Sequence, residues 1–313
     1  MRILLVKTSS LGDVIHNLPV VTDLRRHFPD AAIDWVAEEG FAEIAGLHPG
    51  VRRVIPAALR RWRKALFAPA TWREIGAFRA TLQEEGYDLV IDTQGLLKSA
   101  LIARMARGKR CGYAATAARE PLAARFYDAR FDVPKHLHAV ERNRRLAALA
   151  GGYAATPVPD YGIAVPPAPT FGRTSAILLT ATSRDDKLWP EDRWIGLGRA
   201  LHGRGLTCLL PAGSNPERER ATRIAQAIPG ASVAPPMRLA ELAAQLAAAR
   251  IVIGVDTGLV HLAAALGRPV LALFSASDPA LTGVLAATPA INLGSRGQPP
   301  GVGDVLAAAM PLL

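Results

Sequence analysis

Short apolar runs alternate along the chain with longer stretches in which apolar residues recur at helical spacing. The short runs are rich in Leu, Val and Ile, as expected for parallel strands buried on both faces. This alternation predicts an α/β fold, a parallel sheet covered by helices. The first half has predicted strands at 2–6, 32–36, 52–56, 88–92 and 110–114, and helices near 14–27, 71–85, 96–106 and 138–149. The second half has strands at 176–181, 206–210, 251–255 and 269–274, and helices near 191–203, 216–227, 239–248 and 258–266.

Between the halves, residues 152–170 read GYAATPVPDYGIAVPPAPT, with prolines and no helical period, which is typical of a linker. We therefore predict Rossmann-like domains at 1–155 and 171–313, joined by a Pro-rich linker at 156–170. Ligands of open α/β sheets bind beyond the carboxyl ends of the strands. We expect both domains to present those ends to a shared cleft.

The chain is basic, with a formal net charge of +10 over 313 residues. Residues 1–150 contain 24 Lys and Arg against 16 Asp and Glu, a net of +8, while residues 151–313 have a net of +2. This surplus is a solvated basic surface, or it serves an anionic partner such as nucleic acid, a membrane surface or an acidic substrate. Because aromatic residues are few and no nucleic-acid motif is present, we expect no nucleic-acid partner.

The two cysteines, Cys111 and Cys208, are far apart in the sequence, and we expect both to be reduced. The N-terminus does not resemble a signal peptide, and no apolar run has transmembrane length. These features predict a soluble cytoplasmic protein.

In the second half, IVIGVDTGLVHLAAALGRPVLALF (251–274) predicts a strand, a turn and a helix. The first N–H groups of such a helix lack internal partners and favour a phosphate, which Gly258 after Thr257 allows to approach closely. Asp256 at the strand tip could accept hydrogen bonds from sugar hydroxyls, and His261 could face the same pocket. The structural alternative makes Asp256 an N-cap and His261 a packed core residue.

Two further strand-end loops are candidates for the same nucleotide-like ligand. In LLTATSRDDKLWPEDRW (178–194), Thr182 and Ser183 can donate to phosphate oxygens, and Lys187 can offset the charge of a leaving diphosphate. In LLPAGSNPERERA (209–221), Glu217 binds sugar hydroxyls or is a first-turn helix charge. Lys187 could equally be a salt-bridged lysine in a solvated loop.

In the first half, VKTSSLGDVIHNLPV (6–20) places Asp13 where a helix begins. A carboxylate there competes with a phosphate for N–H groups, so Asp13 is a candidate general base, or else an N-cap without chemistry. Lys7 and Ser10 suit an anionic substrate. The next strand end, in DLVIDTQGLLKSAL (88–101), adds Gln94 and Lys98.

The sequence lacks several diagnostic motifs. It has no D-x-D, H-E-x-x-H, C-x-x-C, G-x-S-x-G or Walker lysine loop, and no G-x-G-x-x-G after the first strand. A metal held by D-x-D and a nicotinamide-dependent dehydrogenase are therefore disfavoured.

Four stretches together resemble the lipopolysaccharide heptosyltransferases, glycosyltransferase family 9: KTSSLGDVIHNLP, DTQGLLKSAL, TSRDDKLWPEDRW and VDTGLVHLAAALGRP. The resemblance covers nearly the whole chain. The sequences DTQGLLKSA and TSRDDKLWP favour the family member that adds the first heptose.

This resemblance implies a GT-B fold and metal-independent, inverting transfer without a cofactor. It implies ADP-L-glycero-β-D-manno-heptose as donor and the Kdo of Kdo2-lipid A as acceptor, with the enzyme peripheral on the cytoplasmic face of the inner membrane. Asp13 matches the family's catalytic base. Donor contacts are implied for Thr182, Ser183, Lys187, Glu217, Asp256, Thr257 and Gly258. Our candidates for gripping the anionic groups of the acceptor are Arg60, Arg61, Arg63 and Lys64.

Three rival functions remain. A later-acting heptosyltransferase would share the donor site but need an already heptosylated core. A non-catalytic two-domain binding protein would keep its function without Asp13. A nucleic-acid-binding protein would show affinity that falls steeply with salt.

Overall fold

The structure, a computed structural model, describes residues 1–165 and 175–313. The end of the predicted linker (166–170) and the start of the predicted second domain (171–174) lie outside the described residues. The chain divides into two compact units, Met1–Ala164 and Val165–Leu313. Each unit contains a six-stranded parallel sheet, so the predicted α/β class is confirmed.

The first unit is built on six strands with helices in the connections between them. Its strands are β1 (Arg2–Val6), β2 (Ala32–Glu38), β3 (Val51–Ala57), β4 (Gly86–Asp92), β5 (Arg107–Tyr113) and β6 (Ala129–Phe131). Its α-helices are α1 (Leu11–Ile15), α2 (Leu18–His27), α3 (Ala42–Gly46), α4 (Leu59–Lys64), α5 (Pro69–Gln83), α6 (Leu97–Met105) and α7 (Ala139–Gly151). 3₁₀ segments occupy Glu39–Phe41 and Pro121–Phe126.

The second unit repeats this plan. Its strands are β7 (Ser175–Leu179), β8 (Thr207–Leu210), β9 (Ser232–Val233), β10 (Ile251–Val255), β11 (Val270–Leu273) and β12 (Ala290–Leu293). Its α-helices are α8 (Glu191–His202), α9 (Asn215–Gln226), α10 (Leu239–Ala248), α11 (Gly258–Ala265), α12 (Pro279–Thr282) and α13 (Val302–Ala309). Asp185–Lys187 and Met310–Leu312 are 3₁₀ turns.

Both sheets have the Rossmann strand order. The first sheet runs β3-β2-β1-β4-β5-β6, and the second runs β9-β8-β7-β10-β11-β12. In such sheets a ligand crevice opens at the switch point, where the order reverses. The switch points fall between β1 and β4 and between β7 and β10, so the loops after these four strands are the ones placed to bind ligands.

Strand register brings those loops to the same level. Val6 at the end of β1 pairs with Asp92 at the end of β4. In the second unit, Leu179 at the end of β7 pairs with Gly254 near the end of β10. A Cβ on Gly254 would lie only 2.6 Å from the Val260 side chain and 2.7 Å from that of Leu179. Glycine at this position therefore lets α11 pack closely against the sheet.

The prediction of one continuous helix at 14–27 is wrong. The chain forms α1 and α2, separated after Ile15. Pro19 lies in the first turn of α2. Since proline has no N–H and its ring clashes with the carbonyl four residues earlier, one continuous helix cannot run through it.

The predicted strands are all present, but three further strands were not predicted from the sequence. These are β6, β9 and β12, and all three are edge strands of their sheets. Each is only two to four residues long. Such short runs carry too little apolar periodicity to be distinguished from loops.

The first part of the predicted linker packs on the first unit. Arg144 donates from Nη2 to the carbonyl of Thr156 at 2.6 Å, while it forms a fully buried ion pair with Asp23. Asp160 pairs with Arg26, and the N–H of Ala164 donates to the Leu47 carbonyl. These bonds explain why the first unit extends to residue 164.

Both cysteines, Cys111 and Cys208, are buried free thiols. In the described ranges, no helix has the length and apolar character needed to cross a bilayer.

Candidate active site

The first site lies at the switch point of the first unit, where β1 and β4 end. Lys7 follows β1 directly, and its side chain is buried. Its Nζ donates to the Thr93 carbonyl at 2.9 Å and to Asn143 Oδ1 at 3.2 Å. The ammonium group is thus fixed between the loop after β4 and helix α7.

Asp13 lies in the first turn of α1, with Ser10 as the N-cap. The prediction that Asp13 could itself be the N-cap is wrong, because the helix begins two residues before it. Asp13 Oδ2 accepts from the Ser10 N–H at 2.9 Å, and Oδ1 lies 3.0 Å from Arg119 Nη2. Both carboxylate oxygens are therefore held in a fixed orientation.

The two cations near Asp13 determine its ionisation. Burial raises the pKa of Asp13, but Lys7 and Arg119 outweigh that effect and lower it to about 2. Burial lowers the pKa of Lys7 to about 8, although the charge of Asp13 partly offsets this. Asp13 is consequently an ionised carboxylate at neutral pH, as a general base must be.

A cavity of about 20 Å³ opens beside these groups, enough for roughly one water molecule. Its polar lining brings three cations and one carboxylate together. The residues that line it are Lys7, Asp13, Thr93, Gln94, Tyr113, Arg119, Ala139, Arg142 and Asn143. Such a lining suits the oxygen atoms of an anionic substrate.

Gln94 and Lys98 support the loop that carries Asp13. Gln94 Oε1 accepts from the N–H and the hydroxyl of Thr8, at 2.7 and 2.8 Å. Lys98 Nζ donates to Ser9 Oγ at 3.0 Å and is exposed. Gln94 therefore positions the loop as well as lining the cavity, and Lys98 keeps donors free for a ligand.

The strand-tip carboxylate Asp92 is fully buried beneath this loop. It accepts from the N–H groups of Gln94 and Gly95 and from the Tyr127 hydroxyl at 2.7 Å. Burial raises the pKa of Asp92. Gly95 has φ of +66°, a left-handed conformation that the turn from β4 into α6 requires. Asp92 thus organises this turn and does not reach the cavity.

The predicted acceptor-binding residues of α4 differ in their surroundings. Arg61 pairs with both Glu39 and Glu74, so its charge is compensated within the unit. The Arg60 guanidinium lies 5.0 Å from the centre of the Phe41 ring. Arg63 and Lys64 are exposed. Of the four, Arg61 fits the acceptor role least.

The second site lies at the switch point of the second unit and centres on Asp256. Lys187 Nζ lies 2.6 Å from Asp256 Oδ2, and the Ser277 hydroxyl donates to the same oxygen. Thr182 Oγ1 donates to the Asp256 carbonyl at 3.1 Å. His261 Nε2 lies 4.0 Å from Asp256 Oδ1. The structure therefore brings four predicted donor residues together with Ser277.

Helix α11 begins next to this cluster. Its N-cap is Thr257, not Asp256, and the Thr257 side chain makes no capping hydrogen bond. Gly258 is the first helical residue. The first N–H groups of α11 thus keep the anion-binding capacity predicted for them.

Two predicted donor residues lie outside this cluster. Glu217 Oε2 accepts from the Gly213 N–H at 2.8 Å, inside the first turn of α9. This is the helix-charge alternative considered for Glu217. Ser183 is exposed in the loop after β7.

Sequence reasoning missed Arg142, Asn143, Tyr113 and Ser277, and it left Arg119 unassigned. The first three lie far along the chain from the motifs they contact, so local spacing carries no signal for them. Ser277 follows β11, the neighbour of β10. Its position after a strand end was a usable signal.

Among residues 1–165 and 175–313, no group of three or more His, Cys, Asp or Glu side chains is placed to hold a metal ion.

Comparison with known proteins places these sites in context. The profile of glycosyltransferase family 9 (heptosyltransferase) matches residues 75–303. Lipopolysaccharide heptosyltransferase 1 of Escherichia coli K12 is 48% identical over 288 residues, covering 90% of this chain and 90% of the relative. Two solved structures of E. coli heptosyltransferase WaaC, one with ADP and one with ADP-2-deoxy-2-fluoro heptose, cover 100% of both chains. Their TM-scores are 0.93 and 0.91, at 42% and 41% identity.

Proposed function

The chain belongs to glycosyltransferase family 9, the heptosyltransferases, and we propose that it transfers L-glycero-D-manno-heptose from ADP-heptose to the Kdo of Kdo2-lipid A. It is a glycosyltransferase with the predicted GT-B fold class of two Rossmann-like domains. The relative named lipopolysaccharide heptosyltransferase 1 and the WaaC structure with an ADP-heptose analogue support this donor and this acceptor class. The reaction belongs to inner-core lipopolysaccharide biosynthesis.

One observation carries the proposal: each unit has a different ligand chemistry at its own switch point. The first unit offers the ionised carboxylate of Asp13 among cations. The second offers Lys187 and the N-terminus of α11, which suit a diphosphate. We assign the acceptor to the first unit and the donor to the second.

In the second unit, the charge that develops on departing ADP is stabilised without a metal ion. Lys187 has three N–H donors, of which one is directed at Asp256, so two remain for phosphate oxygens. The N–H groups after Thr257 and the positive end of the α11 dipole add to this stabilisation. Asp256 accepts hydrogen bonds from heptose hydroxyls, and His261 and Ser183 complete the donor surroundings.

In the first unit, Asp13 accepts the proton of the attacking Kdo hydroxyl. As the hydroxyl oxygen bonds to the anomeric carbon, the bond from that carbon to ADP breaks and ADP leaves with the electron pair. Attack from the face opposite ADP inverts the configuration. Ser10 donates to Asp13 Oδ2 from both its N–H and its hydroxyl. Oδ1 has a second lone pair beyond the one that accepts from Arg119, so Oδ1 can receive this proton.

The acceptor is anionic and anchored in a membrane, which accounts for the net charge of +8 over residues 1–150. Lys7, Ser10, Gln94 and Lys98 bind it near Asp13, and Arg60, Arg63 and Lys64 bind its outer anionic groups. We place the enzyme peripherally on the cytoplasmic face of the inner membrane.

Mass spectrometry of the purified protein with ADP-heptose, Kdo2-lipid A and a chelator tests the proposal. We expect a product heavier by one heptosyl unit, with kcat reduced about 10²- to 10⁴-fold in Asp13→Asn while ADP-heptose still binds. Product only from an already heptosylated acceptor would identify a later-acting heptosyltransferase. Binding without any product would identify a non-catalytic binding protein.

A further inference from the structure

The segment from α4 into α5 displays large apolar side chains to solvent. Phe67 is fully exposed, Trp72 is 61% exposed and Leu66 is 46% exposed. Their sequence neighbourhood, RRWRKALFAPATWR (60–73), contains no acidic residue. Clustered exposed aromatic and aliphatic side chains mark an interaction surface more often than isolated ones do.

This exposure belongs to an ordered structure. The Trp72 indole N–H donates to the Leu66 carbonyl at 2.9 Å, and Thr71 Oγ1 donates to the Ala65 carbonyl at 2.8 Å. Beneath the turn, the Trp62 ring packs edge-on against Phe78 at 5.5 Å. The turn is therefore held so that Leu66 and Phe67 point away from the core.

Basic side chains surround this apolar cluster. Arg63, Lys64 and Arg73 are all exposed. Of the acidic residues that contact α4, Glu39 and Glu74 are paired with Arg61, and Glu38 accepts from the Arg60 N–H. The surface consequently combines exposed apolar groups with exposed positive charge, which is complementary to anionic lipid.

We propose that Leu66, Phe67 and Trp72 insert into the interfacial layer of a bilayer that contains anionic phospholipid, with Arg63, Lys64 and Arg73 at its headgroups. Trp and Phe are suited to this layer, since an aromatic body buries while an indole N–H stays near polar groups. The biological use of this surface rests on the proposed function, whose acceptor is a membrane lipid. The insertion itself is separately measurable.

The cluster is linked directly to the loop that carries Asp13. The Glu38 N–H donates to the Thr8 carbonyl, and Glu38 Oε1 accepts from the Arg60 N–H, both at 3.0 Å. From Arg60, α4 extends for only about 6 Å towards the exposed turn. Docking of this turn therefore brings the bilayer surface close to the acceptor site.

Flotation of the full-length protein with lipid vesicles tests the proposal. The vesicles contain phosphatidylethanolamine with phosphatidylglycerol, or phosphatidylcholine alone. We expect binding to the anionic vesicles, and roughly tenfold or greater loss of partitioning in the triple variant Leu66→Ser, Phe67→Ser, Trp72→Ser. The matched control is Leu122→Ser with Leu149→Ser, which removes exposed leucines elsewhere in the same unit and should bind like wild type.

Tryptophan fluorescence reports insertion directly. Of the five tryptophans, Trp35, Trp62, Trp189 and Trp194 are buried, so Trp72 supplies the environment-sensitive signal. We expect a blue shift on anionic vesicles that disappears in Trp72→Phe, although this variant still floats. Unchanged flotation of the triple variant, or no binding of wild type to anionic vesicles, would overturn the proposal. So would wild-type self-association without vesicles that the triple variant abolishes.

Activity assays separate this inference from the proposed function. With a deacylated, water-soluble Kdo2 acceptor, the triple variant should match wild type, and with Kdo2-lipid A in vesicles it should show a higher KM. If neither protein transfers heptose but only wild type floats, the proposed function fails and the membrane surface stands. If both float equally and transfer heptose, the surface assignment fails alone.

Discussion

Arg119 and Asp13, separated by 106 positions in the chain, lie 3.0 Å apart across the first site. Arg119 is 46% exposed and Asp13 is 15% exposed, so solvent reaches the pair from the arginine side. With Lys7 on the buried side, the two cations keep the Asp13 carboxylate ionised. Each cation should therefore affect the pH dependence of transfer in its own way.

The acid limb of the pH profile should depend on Arg119. Removing its charge in Arg119→Gln raises the pKa of Asp13, so the loss of kcat/KM at low pH should move up by about one pH unit. Arg119→Lys should largely restore the wild-type limb. Profiles extended from pH 8 down to about pH 2, the range that contains both acid limbs, measure this, with the exposed Arg125→Gln as control. An equal shift in Arg125→Gln would show that only overall charge matters.

The alkaline limb should report Lys7, whose pKa burial lowers to about 8. As pH rises through this value the ammonium loses its proton, and kcat/KM for the anionic acceptor should fall about tenfold. Lys7→Arg should move the fall to higher pH. In Lys7→Met the alkaline limb should be absent, and kcat/KM should be as low at neutral pH as the wild-type value is above the pKa of Lys7. An unchanged limb in Lys7→Met would assign it to another group.

The Lys187–Asp256 pair should distinguish ADP from ADP-heptose. Lys187→Met should weaken both ligands about tenfold to a hundredfold, because a charged phosphate contact is lost. Asp256→Asn should weaken the binding of ADP-heptose only. The variant loses contacts with the sugar hydroxyls, but it also removes a negative charge near the diphosphate, so the affinity for ADP should not fall. Calorimetry on the two single variants and the double variant gives the coupling. Equal weakening of ADP by both single variants would contradict this division of roles.

His48 should make the first unit sensitive to acid. Its Nδ1 accepts a hydrogen bond from the Gly50 N–H at 2.9 Å. Protonation of Nδ1 would break this bond, because two N–H donors would then face each other. Burial lowers the pKa of His48 to about 4, against about 6.5 in an unfolded chain. The unfolded state therefore binds more protons between these values, and stability should fall by up to about 3 kcal/mol as pH drops from 6.5 to 4.

Urea unfolding at several pH values checks this expectation. His48→Gln should be less stable at pH 7 but show a flatter pH dependence. The exposed His27→Gln provides the control and should keep the wild-type slope. A wild-type slope in His48→Gln would assign the acid sensitivity to other groups.

The sequence predicted the fold class well because buried parallel strands have a strong local signature. It also located Asp13, Lys7, Lys187 and Asp256, since each follows a strand that ends at a switch point. It could not show that Asp13 occupies the first turn after a Ser10 cap, because cap position depends on one or two residues of backbone geometry.

The sequence also could not predict contacts between residues that are far apart in the chain. Arg119, Arg142 and Asn143 reach the first site only through the packing of distant elements. The sequence also does not tell which basic residues are available to an anionic ligand, since Arg61 and Lys64 lie in the same basic run. Only the structure shows that Arg61 is paired with Glu39 and Glu74, whereas Lys64 is exposed.

The bond between Arg144 and Thr156 has a practical consequence for dissecting the protein. A fragment cut at residue 155, where the sequence predicts the first domain to end, would leave a fully buried guanidinium short of the Thr156 acceptors. A fragment cut after residue 164 keeps them, together with the Asp160 and Ala164 attachments. The isolated first unit should thus be obtained from residues 1–164 rather than from residues 1–155.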